Sequence, residues 1–326
     1  MGVNVGINIQ TSAERGGIGT TPAPVPQPPE IKGGIPQLLT PDFMARLNAL
    51  GVVSKKILAG KLRGERRSRK KGESLEFADF RNYAQGDDLR RIDWNLYARF
   101  ERLFIKLFLA EEDLSVYLIL DGSASMNFGS VNKFDYARKV AAALAYIGIS
   151  NMDRVSLGVY AGGQEHILSN VRGKKQVVRL FKFLSDIPPA GGTDLHEACK
   201  RFLLRNRRRG VCLVLSDFLD PDGFEGPLKA LVANRMDTFA VHVLASEEVE
   251  PTLLGDFTLV DSETGERLDV TASQRLVDNY QKTVRGFCSS LQQFCAARGV
   301  AYLFASTDLP FEALVLNYLR NVGLVR

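Results

Sequence analysis

Apolar runs and helical stripes alternate over the C-terminal two thirds of this chain. From Leu114 to Leu120, six of seven residues are apolar, which predicts a strand buried on both faces. Further strands are predicted at residues 155–160, 211–216, 238–244 and 300–305. The segments between them carry apolar residues at helical spacing. This alternation predicts the α/β fold class, with a doubly wound, mostly parallel sheet and right-handed crossovers.

Three segments follow from the same patterns. Residues 1–37 are rich in Gly, Pro, Thr and Gln, and predict a disordered tail. Residues 38–112 predict an N-terminal extension, with a helix that starts after Thr40, a basic connector and short strands. Residues 113–326 predict the α/β domain, and residues 257–270 predict a hairpin inserted at the edge of its sheet.

A short polar loop directly follows the first of these strands. It places the carboxylate of Asp121 and the hydroxyls of Ser123 and Ser125 two residues apart, with small residues between them. Such a loop can turn three oxygen ligands toward one point, as a hard divalent cation requires. The same residue types are common in ordinary turns, so the loop alone leaves both interpretations open.

Two later stretches offer further oxygen ligands. Thr193 follows two glycines and precedes a predicted helix, and Asp217 ends the strand at 211–216. Ligands of open α/β sheets bind beyond the carboxyl ends of strands, where the winding reverses. If the strands before Asp121 and Asp217 are neighbours there, the predicted metal site comprises Asp121, Ser123, Ser125, Thr193 and Asp217. Asp194 is either a further metal contact or a helix N-cap, and the sequence does not choose.

The order Asp-x-Ser-x-Ser, then Thr, then Asp resembles the metal-ion-dependent adhesion site of von Willebrand factor A-like domains. This resemblance implies a Rossmann-like fold and a bound Mg²⁺ at the five residues named above, with Mn²⁺ or Ca²⁺ as alternatives. In that family the carboxylates often act through water. The metal then keeps a position for a carboxylate from a partner protein.

Residues 76–99 carry a second resemblance, to the bacterial domain-of-unknown-function family 58. Members are often encoded beside a MoxR-type AAA+ ATPase, so the resemblance implies that ATPase and a client protein as partners. Arg, Asp and aromatic side chains are mixed in this stretch, which favours a docking segment for the following domain over metal ligands or acid/base groups. The residues assigned to docking are Arg81, Asp87, Asp88, Arg91, Asp93, Trp94 and Arg99.

Positive charge is concentrated in one stretch. The chain has 42 Lys and Arg against 37 Asp and Glu, and residues 55–71 hold nine basic residues against the single acid Glu65. This stretch is either an electrostatic footprint for an anionic partner or a solvated connector. No aromatic residue interleaves the basic ones, which disfavours nucleic-acid binding by base stacking.

Cysteine use and apolar run lengths favour a cytoplasmic protein. The four cysteines form no Cys-x-x-Cys pair and lie among apolar neighbours, as buried thiols do in a reducing compartment. The longest apolar run, residues 140–149, is about half the length of a membrane crossing. We therefore expect no transmembrane segment.

These observations predict a non-enzymatic adaptor whose divalent metal accepts a partner carboxylate. The rival enzyme class is a haloacid-dehalogenase-like phosphotransferase with Asp121 as nucleophile. That chemistry resembles Asp-x-Asp, in which the second Asp is the general acid, but position 123 is Ser. Nucleic-acid binding through residues 55–71 is a third class, which steep salt dependence of polyanion binding would support.

Overall fold

A computed structural model describes most of the chain in two units. The described residues are 7–11, 38–50, 52, 76–109, 114–192, 194–251, 255–262, 265–318, 320 and 324. One unit comprises residues 1–58 and 114–326, and the other comprises residues 59–113. Thr193 and the basic residues 55–71 lie outside the described residues.

The described elements include eleven strands and nine α-helices. In chain order the strands are β1 (Ile7–Thr11), β2 (Glu76–Asn82), β3 (Phe104–Leu109), β4 (Ser115–Asp121), β5 (Arg154–Ala161), β6 (Gln164–Val171), β7 (Val211–Ser216), β8 (Asp237–Leu244), β9 (Gly255–Asp261), β10 (Arg267–Ala272) and β11 (Ala301–Ser306). The helices are α1 (Pro41–Leu47), α2 (Trp94–Phe100), α3 (Lys133–Ser150), α4 (Val177–Ser185), α5 (Leu195–Arg205), α6 (Glu225–Ala233), α7 (Ser246–Val249), α8 (Gln274–Arg298) and α9 (Phe311–Ala313).

A mixed, mostly parallel sheet of six strands forms the centre of the larger unit. The strand order is β11-β8-β7-β4-β5-β6, and all neighbours are parallel except β5 and β6. The α/β prediction is therefore confirmed at this level. The antiparallel β5–β6 hairpin was not predicted, although Gly162 and Gly163 at its turn both have positive φ, as a tight two-residue turn requires.

Helices cover both faces of this sheet, so β4 is buried along its whole length. Val116, Leu118 and Leu120 join a core with α3. Tyr117 and Ile119 join a second core, which includes residues of α5, α6 and α8. Alternate side chains of one strand thus enter two cores, which explains its nearly continuous apolar sequence.

The N-terminal helix α1 belongs to the larger unit. Thr40 caps it by accepting a hydrogen bond from Phe43 N at 3.3 Å, as the Thr-Pro signal predicts. Phe43 and Leu47 are buried in the same core as α3. The prediction placed this helix in the N-terminal extension of residues 38–112, whereas its buried side chains pack in the core of the larger unit.

A separate three-stranded sheet contains the predicted hairpin. Strands β9 and β10 pair with each other, and β1 pairs antiparallel with β9. The expectation that the hairpin extends the edge of the main sheet is thus corrected. Strand β1 lies inside the segment interpreted as a tail, although the alternation Ile7-Asn8-Ile9-Gln10 is a strand signal. The prevailing Gly and Pro composition of residues 1–37 concealed it.

The smaller unit contains the antiparallel pair β2–β3 and helix α2. Arg81 Nη2 lies 2.9 and 2.8 Å from the two carboxylate oxygens of Asp87. Asp93 caps α2 through Asn95 N and Leu96 N and forms an ion pair with Lys106 at 2.9 Å.

Two further residues of the predicted docking segment, Asp88 and Trp94, have described positions in this unit. Asp88 accepts a hydrogen bond from Arg90 N, and Trp94 is 62% exposed. The docking role of the whole segment stays a prediction. In the described part of the chain, no helix has the length and apolarity to cross a membrane.

Candidate metal centre

Two neighbouring strands bring Asp121 and Asp217 to the same edge of the main sheet. Strands β4 and β7 are parallel, and Leu120 pairs with Leu215. The hydroxyl of Ser216 donates a hydrogen bond of 2.6 Å to Asp121 Oδ2. The carboxyl ends of the two strands are therefore joined directly, as the sequence interpretation requires.

The loop after β4 gathers its polar groups in a buried turn. Asp121 Oδ1 accepts a hydrogen bond from Ser123 N at 3.0 Å. The Oγ atoms of Ser123 and Ser125 lie 2.8 Å apart. All three side chains are buried, so their oxygens are shielded from bulk water.

A second loop is fastened to this turn through its backbone. Ala124 N donates to Gly191 O at 2.7 Å, and Ala190 N donates to Gly122 O at 2.8 Å. Gly191 has a φ of +63°, and a Cβ there would lie 2.6 Å from Gly162 Cα. Only glycine fits this close approach.

The start of α5 is also connected to the end of β7. Leu195 N donates to Asp220 Oδ2 at 2.7 Å. Asp194 Oδ1 accepts from Glu197 N at 2.7 Å, which is the N-cap geometry, one of its two expected roles. The sequence interpretation missed Asp220, since Asp220-Pro-Asp-Gly223 has the composition of an ordinary turn.

A buried lysine that the sequence interpretation also missed touches Asp217. Lys133 is fully buried, and its Nζ lies 2.9 Å from Asp217 Oδ2 and 2.7 Å from Glu248 Oε1. Leu219 N donates to Asp217 Oδ1 at 3.2 Å, and Ala245 N donates to Glu248 Oε2 at 2.8 Å. We call Lys133, Asp217 and Glu248 the buried charge cluster.

The pattern of α3 contained a signal for this cluster. Lys133 lies four residues before Ala137 and seven before Val140, which places it on the apolar face of the helix. A lysine at a helix N-terminus also opposes the helix dipole. A cation in that position therefore indicates an acidic partner in the protein interior.

The cluster shifts the pKa of each member. Burial lowers the pKa of Lys133, but attraction to Asp217 and Glu248 outweighs burial and raises it above its ordinary value. Burial raises the pKa of Asp217, but Lys133 outweighs this effect and lowers it. For Glu248, burial prevails over Lys133, and its pKa is raised.

An aromatic pocket supports the backbone that follows Asp217. Phe218 has a φ of +56°, which is rare for a residue other than glycine, and its buried ring packs on His242. His242 is surrounded further by Phe287 and Phe304, and its Nδ1 lies 2.9 Å from the Tyr302 hydroxyl. Burial lowers the pKa of His242 to about 4.

This shift predicts a pH dependence of stability. In the unfolded chain His242 has its ordinary pKa of about 6.5, so it is protonated below that pH. In the folded chain it stays neutral until the pH falls to its lowered pKa of about 4. The contribution of neutral His242 to the free energy of unfolding is therefore complete above pH 6.5. It decreases by up to about 1.4 kcal/mol per pH unit as the pH falls from 6.5 to about 4. Unfolding in urea at pH 5, 6 and 7 should show a steeper loss for the natural chain than for His242→Phe.

His166→Gln serves as the control variant for that measurement, because His166 lies in the peripheral strand β6 and is only partly buried. It should keep the slope of the natural chain. An equal slope for His242→Phe would contradict the assignment to His242.

The donor set fits a small divalent cation at the loop. Neighbouring oxygen ligands of octahedral Mg²⁺ are about 2.9 Å apart, given bond lengths of about 2.1 Å. The Ser123 and Ser125 hydroxyls are hydrogen-bonded to each other at 2.8 Å, so two neighbouring ligand positions would need little movement of these oxygens. No three His, Cys, Asp or Glu side chains in the described residues are arranged to hold a metal.

Comparison with known proteins identifies the family. Residues 79–286 match the family described as Protein of unknown function DUF58. This chain belongs to that family. The DUF58 match includes β4 and β7, which end at the candidate centre, and α3 and α7, which carry Lys133 and Glu248 of the buried charge cluster.

Relatives of this DUF58 protein occur in mycobacteria. Uncharacterized protein Rv1480 of Mycobacterium tuberculosis and Uncharacterized protein Mb1516 of Mycobacterium bovis are each 28% identical to it over 305 residues. Each alignment covers 92% of this chain and 95% of the relative. Uncharacterized protein MAV169 of Mycobacterium avium is 30% identical over 128 residues, which cover 39% of this chain and 75% of that protein.

Solved structures with remote likeness to this DUF58 protein include two bacterial examples. The crystal structure of conserved hypothetical protein BatB from Bacteroides thetaiotaomicron has a TM-score of 0.41 and 15% identity, over 64% of this chain and 98% of that chain. The open conformation of pilus adhesin SpaC from Lactobacillus rhamnosus GG has a TM-score of 0.42 and 13% identity, over 67% of this chain and 31% of that chain.

Proposed function

We propose that this protein is a non-enzymatic adaptor with a von Willebrand factor A-like domain, which binds a partner protein through a divalent cation. The observation that carries the proposal is the convergence of buried oxygen ligands after β4, where the hydroxyls of Ser123 and Ser125 are hydrogen-bonded to each other at 2.8 Å beside the Asp121 carboxylate. The hydrogen bond from Ser216 to Asp121 adds support, since it joins this loop to the strand that precedes Asp217.

Each residue has a distinct part in this proposal. Ser123, Ser125 and Thr193 would hold the cation, and Asp121 and Asp217 would supply negative charge around it. Asp121 also fixes the loop, because it accepts the Ser123 amide and the Ser216 hydroxyl. A Mg²⁺ ion bound there, or Mn²⁺ or Ca²⁺ in its place, supplies a Lewis-acidic position for a carboxylate of the partner.

The proposed partner is a MoxR-type AAA+ ATPase. It follows from the family resemblance of residues 76–99, and the adaptor would present client proteins to this ATPase during the assembly of protein complexes. The cytoplasm, where such an ATPase works, is the proposed location. Nothing in this role requires the chain to break or form a covalent bond.

The rival phosphotransferase is less consistent with the state of Asp121. A nucleophilic carboxylate needs an oxygen directed at the substrate, but both oxygens of Asp121 accept hydrogen bonds from the protein. The general acid that such an enzyme needs is replaced by Ser123, whose hydroxyl does not act as an acid near neutral pH.

Capture of the ATPase should depend on the cation. The full chain, immobilised in the presence of Mg²⁺, is expected to retain a purified MoxR-type ATPase, and EDTA should release it. Ser123→Ala removes one proposed ligand and should reduce capture at least about tenfold, because loss of a group that only supports a metal ligand already costs about tenfold or more in metal affinity. The amounts retained are measured by quantitative gel analysis.

Ser289→Ala is the matched control, because Ser289 lies exposed on α8 and contacts Gln293. It should capture the ATPase as the natural chain does. Capture that is indifferent to both EDTA and Ser123→Ala would remove the cation from the proposed function.

A further inference from the structure

We infer that Lys133 is a positioning residue that keeps Asp217 from coordinating the cation directly. The inference deepens the proposed function and rests on it, because it concerns the same site. Its consequence is a loosely held cation that retains a position for a partner carboxylate.

The first observation is the occupancy of the Asp217 carboxylate. Oδ2 accepts a charge-assisted hydrogen bond from Lys133 Nζ at 2.9 Å, and Oδ1 accepts from Leu219 N at 3.2 Å. Each oxygen therefore already has a donor. Direct coordination to a cation would have to replace or share one of these contacts.

The second observation is that Lys133 cannot easily leave. Its ammonium is fully buried and is held at the same time by Glu248 Oε1 at 2.7 Å. Glu248 is itself fixed by Ala245 N, and its neighbour Glu247 accepts a hydrogen bond from Ser130 N at 2.8 Å, just ahead of α3. Helix α7 is thus fastened to the segment that carries Lys133.

The third observation concerns charge. Counted at their formal charges, Asp121, Asp217 and Glu248 contribute three negative charges and Lys133 one positive charge, which leaves a net −2 that one divalent cation would neutralise. Because the Asp217 carboxylate is hydrogen-bonded to Lys133, the ligands left for direct coordination of the cation are mainly uncharged hydroxyls. Fewer charged ligands mean lower affinity for the cation and a stronger attraction to an incoming carboxylate.

A charge-matched pair of variants separates position from net charge. In the double variant Lys133→Met, Glu248→Gln, the lysine is absent, yet the net charge of the site is still −2. In Glu248→Gln alone, Lys133 still contacts Asp217 and the net charge becomes −1. Thermal unfolding in EDTA establishes that each variant is folded before it is compared.

The experiment titrates Mn²⁺ into each full-length variant by calorimetry and measures the water proton relaxivity of the bound Mn²⁺. We expect the double variant to bind Mn²⁺ about tenfold more tightly than the natural chain, because a carboxylate becomes available as a ligand. Its relaxivity should fall, because Asp217 displaces a coordinated water. Glu248→Gln should bind Mn²⁺ more weakly than the natural chain.

The outcomes distinguish this inference from the proposed function. Equal affinity and relaxivity for the natural chain and the double variant would overturn the inference while leaving the cation site in place. Absence of Mn²⁺ binding in every variant would overturn the inference together with the proposed function. Binding that Asp121→Asn leaves unchanged would place Mn²⁺ elsewhere, and would overturn both as well.

Discussion

Replacement of Lys133 by methionine lowers the free energy of unfolding by about 3–5 kcal/mol, the usual cost of removing one partner of a buried ion pair. Methionine fills a similar volume but leaves Asp217 and Glu248 facing each other with no cation between them. Both carboxylates are buried, so water cannot replace the ammonium without opening the structure. Equilibrium unfolding in urea at pH 7, with EDTA present, measures this loss.

Lys200→Met is the matched control for this measurement. Lys200 is 57% exposed and forms an ion pair with Glu197 on the surface of α5, at 3.5 Å. Exposed pairs contribute little, so this variant should change the free energy of unfolding by less than about 0.5 kcal/mol. A similarly small effect of Lys133→Met would show that the buried charge cluster does not stabilise the fold.

Asp121→Asn is expected to abolish the stabilisation of the folded chain by Mg²⁺. The natural chain should gain about 2.7 kcal/mol when Mg²⁺ is present at 100 times its dissociation constant. Asparagine keeps the size of the side chain and an oxygen for one of the two contacts, with Ser123 N or the Ser216 hydroxyl. It removes the charge that favours the cation, so differential scanning calorimetry should show the same melting temperature with Mg²⁺ and with EDTA.

Asp194→Asn makes the same chemical change at the N-cap of α5 and tests the open alternative for that residue. Asn is also a good N-cap, so the variant should retain the stability of α5 to within about 1 kcal/mol. If Asp194 serves only as the N-cap, the response of Asp194→Asn to Mg²⁺ is unchanged.

Retention of the full response to Mg²⁺ by Asp121→Asn would refute the assignment of the cation to the loop after β4.

The fold could be predicted from the sequence where one periodicity extended over a whole element. The run from Leu114 to Leu120 indicated a central strand, and the structure places β4 between two other parallel strands. Strand β1, of five residues, was missed because the Gly- and Pro-rich composition of residues 1–37 was given more weight than the alternation that runs from Val3 to Gln10. Its pairing with β9 depends on residues about 250 positions away, which local patterns cannot reveal.

The candidate site divides in the same manner. Asp121 and Asp217 were predicted as neighbours because each ends an apolar strand, and the pairing of β4 with β7 brings those ends together. Lys133 and Glu248 were missed because lysine and glutamate are residue types that are usually solvent-exposed, although the position of Lys133 on the apolar face of α3 was a signal. Only the arrangement of three segments in space places this ammonium between two carboxylates.

The buried charge cluster has a consequence for folding kinetics. Lys133 is 84 residues from Asp217 and 115 residues from Glu248, so these contacts can form only after three distant segments have assembled. We expect them to be absent from the folding transition state, with φ-values near zero. Weakening these contacts would then accelerate unfolding and leave the refolding rate almost unchanged. The buried charge cluster therefore forms late in folding and prolongs the lifetime of the native state by slowing its unfolding.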